Sequence, residues 1–101
     1  MSKNRNRGKA LERFIAKDLG GRRVGILGKA DVELPGMILE CKERKRLPRF
    51  IAHCFEQVEK YESKLRRGVV LHELGQEHDE DIVMVRLKHF REILGRLKEE
   101  T

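Results

Sequence analysis

The chain has 101 residues, with 23 Lys and Arg against 17 Asp and Glu, a formal charge of +6 and a sequence pI near 9.6. That length fits one small domain with one core, so any site must sit on the core elements themselves. No run approaches the ~18–20 consecutive apolar residues of a membrane span, and Met1-Ser2-Lys3-Asn4-Arg5-Asn6-Arg7 has no apolar segment behind its charges, so neither a membrane protein nor a secreted one is expected.

The two cysteines, Cys41 and Cys54, sit inside apolar patterns and form no Cys-x-x-Cys pair. That argues against a disulfide scaffold or zinc ribbon and for buried free thiols in a reducing cytoplasm. Charge is unevenly spread: residues 1–49 hold fourteen Lys and Arg and six Asp and Glu, a net +8, whereas residues 50–101 net −2. An N-terminal basic excess is the footprint expected of a phosphate-backbone binder. A solvated surface that aids solubility is the alternative, and charge alone does not separate the two.

Residues 1–7 are polar, basic and aperiodic, and are expected to form a flexible arm ahead of a single domain over 8–101. Ala10, Leu11, Phe14, Ile15 and Leu19 fall at helical spacing and Gly20-Gly21 supplies a stop, which predicts a first helix over roughly 8–19. Arg22 to Leu27 reads as a short strand broken by Gly28. Asp31 to Lys42 then holds two alternating runs around Pro35-Gly36, the pattern of a β-hairpin. Centring the turn on that dipeptide pairs residues whose numbers sum to 71, so Asp31 faces Glu40. Val32, Leu34, Met37, Leu39 and Cys41 then share one face, and Asp31, Glu33, Ile38, Glu40 and Lys42 the other. An L-proline favours a type I or II turn over the usual two-residue hairpin turns.

Glu43 to Arg49 is a basic connector. Phe50, Ile51, Cys54, Phe55, Val58, Tyr61 and Leu65 follow helical spacing and predict a second helix over about 48–66. Strands are expected at 68–72 and 82–87, separated by an acidic polar loop, and a last helix at roughly 88–99. The order α β β β α β β α predicts an α/β domain, a mixed sheet flanked by helices.

Opposed carboxylates on adjacent strands repel unless a cation offsets them. Oxygen-only ligation completed by water and substrate phosphate suits Mg²⁺, with Mn²⁺ as a substitute, rather than zinc. Lys42 projects from the same face as Glu40 and is placed to orient a nucleophilic water or stabilise charge on a phosphate. Asp31, Glu40 and Lys42 thus form a candidate site for metal-assisted phosphodiester hydrolysis; a solvated hairpin face is the alternative.

Asp31 followed after a hairpin by Glu40-Cys41-Lys42, behind a helix bearing Glu12 and ahead of one bearing Gln57, resembles the PD-(D/E)xK nuclease superfamily. The resemblance covers residues 8–74 and implies a restriction-endonuclease-like core. It implies that Asp31, Glu40 and the Cys41 backbone carbonyl ligate the metal, that Lys42 assists the water, and that Glu12 contacts the metal region. Ala30 stands where the family's name places a proline. Gln57 and Tyr61 fit a Gln-x-x-x-Tyr motif of some exonuclease-like branches, in which both would lie on one helical face near the site or a DNA phosphate.

Within the superfamily the short chain, its basic N-terminal segment, Glu12 and Gly28-Lys29-Ala30-Asp31 resemble archaeal-type Holliday junction resolvases and their phage-borne relatives. That implies a homodimer acting on branched DNA in the cytoplasm of a bacterial, archaeal or phage-infected cell. Around the site, Arg5, Arg7, Lys9, Arg13, Arg22, Arg23, Lys29, Arg44, Lys45, Arg46 and Arg49 would track phosphates. A same-fold nuclease acting on flaps, ends or single strands, and a non-catalytic basic DNA-binding module, are the alternatives. His53, His72, His78 and His89 show no metal-ligand spacing, and Glu77, Asp79, Glu80 and Asp81 read as an exposed acidic loop. No phosphate-binding glycine loop is present, so no nucleotide cofactor is expected.

Overall fold

Two glycines end the first helix as a left-handed cap requires. A computed structural model describes residues 2–25 and 30–100, with side chains for 8–25, 30–97 and 99. In it α1 runs Ser2–Leu19, Gly20 takes φ +73°, and the Gly21 N–H donates to the Ala16 carbonyl at 2.8 Å, the closure that satisfies an orphaned helix carbonyl. Gly21 is also fixed by packing, because a Cβ there would collide with the Glu33 carbonyl and the Leu34 side chain.

The chain is α+β and the order of elements is the expected one, but it divides into two compact units, Met1–Lys45 and Arg46–Thr101. Among the described residues no helix is long and apolar enough to cross a membrane.

In the first unit α1 begins at Ser2, so residues 2–7 are its opening turns where an arm was expected. These residues contain no proline, and extending an existing helix gains one hydrogen bond per residue fixed, so an aperiodic polar stretch can still be helical. The face applied to the sheet also differs from the expected stripe. Ala16 and Leu19 are buried and Glu12 and Ile15 half-buried, while Ala10 and Phe14 are exposed. The small Ala16 lets the helix approach β1 and β2 closely, and that choice turns Phe14 to solvent.

β1 (Arg22–Arg23), β2 (Val32–Leu34) and β3 (Met37–Leu39) form an antiparallel sheet in chain order. The Val24 N–H extends the first pairing by donating to the Asp31 carbonyl at 3.0 Å; Ile26 and Leu27 lie outside the described residues. The hairpin has the expected register, Val32↔Leu39, Glu33↔Ile38 and Leu34↔Met37, around a two-residue Pro35-Gly36 loop. Gly36 takes φ +78°, which a type II turn demands after its proline. Val32 and Leu34 are buried under α1 and Leu39 is half-buried, but Met37, expected on the same face, is exposed at the hairpin tip.

In the second unit α2 (Arg49–Glu59) buries Cys54 and Phe55 and packs on β4 (Gly68–Leu71). It stops at Glu59, well short of the expected 66, and leaves Tyr61 and Leu65 exposed. Side chains serve the backbone beyond the helix end: Arg67 Nη2 donates to the Tyr61 and Ser63 carbonyls at 2.7 and 2.9 Å, and Ser63 Oγ accepts the Leu65 N–H at 3.0 Å. Such local bonds compete with helical ones.

β4 pairs antiparallel with β5 (Ile82–Val85) from Gly68↔Val85 to Leu71↔Ile82, with a 3₁₀ turn at His78–Glu80 between them. Arg86 follows β5, lies 4.3 Å over the Phe55 ring and donates twice to Glu59 at 3.1 and 3.0 Å, tying that end of the sheet to α2. α3 (Leu87–Glu100) completes the unit. Instead of one mixed sheet, the described strands form two antiparallel sheets, each built from neighbours in sequence.

Candidate active site

The hairpin ladder stops one pair short of the expected Asp31–Glu40 opposition. The Asp31 N–H donates to the Leu39 carbonyl at 3.1 Å, one residue out of register, and the Asp31 carboxylate takes over as acceptor, with the Cys41 N–H reaching Oδ2 at 2.7 Å. A charge-assisted bond of this kind is among the stronger protein hydrogen bonds. It clamps the Glu40-Cys41-Lys42 segment against the start of β2.

Glu12 arrives from α1. It shares the face of Ile15, Ala16 and Leu19, so its carboxylate is carried onto the sheet, where Oε2 accepts from Arg23 Nε at 2.6 Å. This pair is partly withdrawn from water, with side-chain exposures of 28% for Arg23 and 17% for Glu12. Glu40 and Lys42 occupy the outer edge, 3.7 Å apart and both exposed.

Burial and nearby charge both act on the Cys41 thiol. Burial raises it above the ordinary 9.0, and the carboxylates of Asp31, Glu12 and Glu40 raise it further. The three act on the half-buried sulfur as charges at a distance: among the described residues the side chains close enough together to share an ion are His72, His78 and Asp81, and Glu12, Asp31 and Glu40 do not form such a group. With the Cys41 carbonyl, Asp31 and Glu40 supply only oxygen donors, the set that suits a hard divalent cation.

Among the other expected contributors, Arg22 makes an exposed ion pair with Glu33 at 3.3 Å, and Arg23 is the partner of Glu12. Lys9, Arg13, Arg44, Lys45, Arg46 and Arg49 are exposed. The side chains of Arg5 and Arg7, and the whole of Lys29, lie outside the described residues. Gln57 is exposed in the last turn of α2, and Tyr61, 71% exposed, lies beyond the helix end, so the two do not share a helical face.

One constellation escaped sequence reasoning. His72, His78 and Asp81 meet in the second unit. In the folded ladder Leu71↔Ile82 gives a register summing to 153, which carried one step further sets His72 opposite Asp81; the sequence alone offered no signal for that pairing. No family model, curated protein or solved structure matches the chain.

Proposed function

We propose that this chain is a Mg²⁺-dependent, structure-selective DNA endonuclease that resolves four-way junctions as a homodimer, with a restriction-endonuclease-like core. The observation that carries it is the Asp31 carboxylate bonded to the Cys41 N–H at 2.7 Å, which sets it beside the exposed pair of Glu40 and Lys42. Asp31, Glu40 and the Cys41 carbonyl would hold the ion, with Mn²⁺ as a substitute. Bound there, it would supply Lewis acidity toward a phosphodiester and its attacking water.

The protein's own groups have separable tasks. The Asp31 bond to the Cys41 N–H fixes the orientation of one ligand relative to the other. Lys42 leaves Glu40 when a phosphate competes for it, orients the water and stabilises charge on the phosphoryl oxygens. Arg23 holds Glu12 at the edge of the metal region rather than tracking DNA. The exposed Lys9, Arg13, Arg44 and Lys45 bind backbone phosphates on either side. Val70 and Val83, an exposed apolar cross-strand pair, are the surface that a second copy would cover.

The test is a substrate panel of four-way junction, 5′ flap, single strand and linear duplex, each with Mg²⁺ and with EDTA. The junction is expected to be cut preferentially, and Asp31→Asn and Glu40→Ala each to lose at least about a hundredfold in rate. Equal cutting of linear duplex overturns the junction preference; full activity in both variants overturns the nuclease. Sedimentation at micromolar concentration should give a dimer.

A second reading has its own support. Glu12, Asp31 and Glu40 each already have a partner in Arg23, the Cys41 N–H and Lys42, as a non-catalytic DNA-binding module would require. Calorimetric titration with Mg²⁺ separates the two, because a module without catalysis has no metal site for Glu40→Ala to abolish. A flap or end nuclease of the Gln-x-x-x-Tyr type loses its support, since Tyr61 is off the helix.

A further inference from the structure

We propose that His72, His78 and Asp81 form a Zn²⁺ site at the end of the β4–β5 ladder, independent of the carboxylates of the first unit. His72 Nδ1 lies 2.5 Å from Asp81 Oδ1 and His78 Nδ1 lies 3.0 Å from Oδ2, so two imidazoles converge on the two oxygens of one carboxylate. Their rings are 4.5 Å apart at an interplanar angle of 34°, and one donor atom from each of the three residues lies within 4.8 Å of the others. Donors bonded at ~2.0–2.1 Å to a tetrahedral ion sit roughly 3.3 Å from one another, so the observed separations need only small side-chain rotations to accept one.

The fold explains why the three meet. His72 leaves β4 directly opposite the point where Asp81 enters β5, and His78 opens the 3₁₀ turn three residues before Asp81. Asp81 is the most withdrawn of the three and His78 the most exposed, with side-chain exposures of 15% and 84%. The anchor is thus held by the ladder while one ligand stays free to adjust. A carboxylate only accepts, so without an ion both imidazoles must carry their proton on Nδ1. Binding moves each proton to Nε2 and frees both Nδ1 lone pairs for the ion.

The donor chemistry selects the metal class. Two imidazoles with one carboxylate suit Zn²⁺ and its neighbours, whereas Mg²⁺ and Ca²⁺ take all-oxygen sets. Three protein ligands leave a fourth position for water or for a carboxylate from the wall. A cavity of about 940 Å³ adjoins the cluster, lined by His72 itself and by Glu73, Glu77 and Glu80. These glutamates lower the potential at its mouth and favour entry of a cation.

The experiment is calorimetric titration of the full chain with Zn²⁺, with Co²⁺ absorption as a second readout of the ligand set. One ion per chain is expected, with affinity falling more than about tenfold in His78→Ala and in Asp81→Asn. Glu40→Ala should leave it unchanged. The Co²⁺ spectrum should lack a thiolate charge-transfer band. His78 is exposed, so its variant should keep the wild-type circular dichroism. Absence of binding, affinity unaltered in both variants, or a thiolate band assigning the ion to Cys41 or Cys54 would each overturn the site.

Discussion

In the first unit the β2–β3 ladder ends at Val32↔Leu39, and Asp31, Glu40 and Cys41 stand just past it; in the second the β4–β5 ladder ends at Leu71↔Ile82, and His72 and Asp81 stand just past it. Both constellations stand at the end of a ladder, the second where the register carried one step further sets His72 opposite Asp81, the first where the Asp31 N–H slips to the Leu39 carbonyl and its carboxylate takes the Cys41 N–H. What differs is the support behind them. The first rests on Ala16, Leu19, Val32 and Leu34, all buried, and each carboxylate has a partner on a different element or residue. The second unit buries Cys54 and Phe55 and leaves Val70, Ile82 and Val83 exposed along its strands. Packed cores hold donors to fractions of an ångström, whereas an exposed ladder end leaves a ligand such as His78 free to move.

The sharpest way to break this contrast is to cut into each apolar surface in turn. Leu34→Ala removes a buried side chain beneath α1 and should cost about 2–5 kcal/mol, read as a lower urea midpoint and faster amide exchange over 22–41. Leu74→Ala, at a position 92% exposed, should stay within about 0.5 kcal/mol. Equal losses would mean that the first unit has no better core than the second.

How much of each constellation was legible follows from turn chemistry. Pro35-Gly36 admits a two-residue loop with a left-handed glycine, so the register of β2 and β3 could be written down from the residues, but not the slip at its end that puts the Asp31 carboxylate on the Cys41 N–H instead of opposite Glu40. The segment between β4 and β5 is ten residues long and contains its own 3₁₀ turn, so nothing local fixed the pairing that sets His72 opposite Asp81. Periodicity located the helices but not their ends. Tyr61 and Leu65 extended the apolar stripe of α2 on paper, while Arg67 and Ser63 drew the backbone out of the helix. Nor could spacing show that Glu12 lies on the buried side of α1, because a glutamate breaks the apolar pattern it belongs to. The pairing with Arg23 makes that position tolerable.

That pairing gives a finer test inside the first unit. Arg23→Ala leaves a partly buried Glu12 carboxylate without its donor and should cost about 1–3 kcal/mol. Arg22→Ala breaks an exposed pair with Glu33 and should cost no more than about 0.5–1 kcal/mol. In Glu12→Gln/Arg23→Ala part of the loss should return, since the stranded charge is gone. Urea melts of the four proteins would show it, and equal costs for the two arginines would mean that Glu12 is as well hydrated as Glu33.

The smallest effect is the most direct reading of the carboxylate field. Burial, then Asp31, Glu12 and Glu40, hold the Cys41 thiol above 9.0, so the folded chain keeps that proton at a pH where the unfolded chain has released it. Unfolding therefore releases protons in that window. The contribution to stability is complete below 9.0 and declines as pH rises past it, a decline that Cys41→Ala should abolish. Because the thiolate is the nucleophile, iodoacetamide should label Cys41 slowly at neutral pH, with a midpoint above 9.0 when followed peptide by peptide. Glu12→Gln should lower that midpoint only in part, since burial is the larger cause and stays in place. Added Mg²⁺ should lower it as well, because a cation among Asp31, Glu40 and the Cys41 carbonyl offsets the charges that oppose the thiolate. A midpoint at or below 9.0 would mean that neither burial nor the carboxylates act on the thiol, and a raised midpoint that Glu12→Gln leaves unmoved would mean that burial alone holds it there.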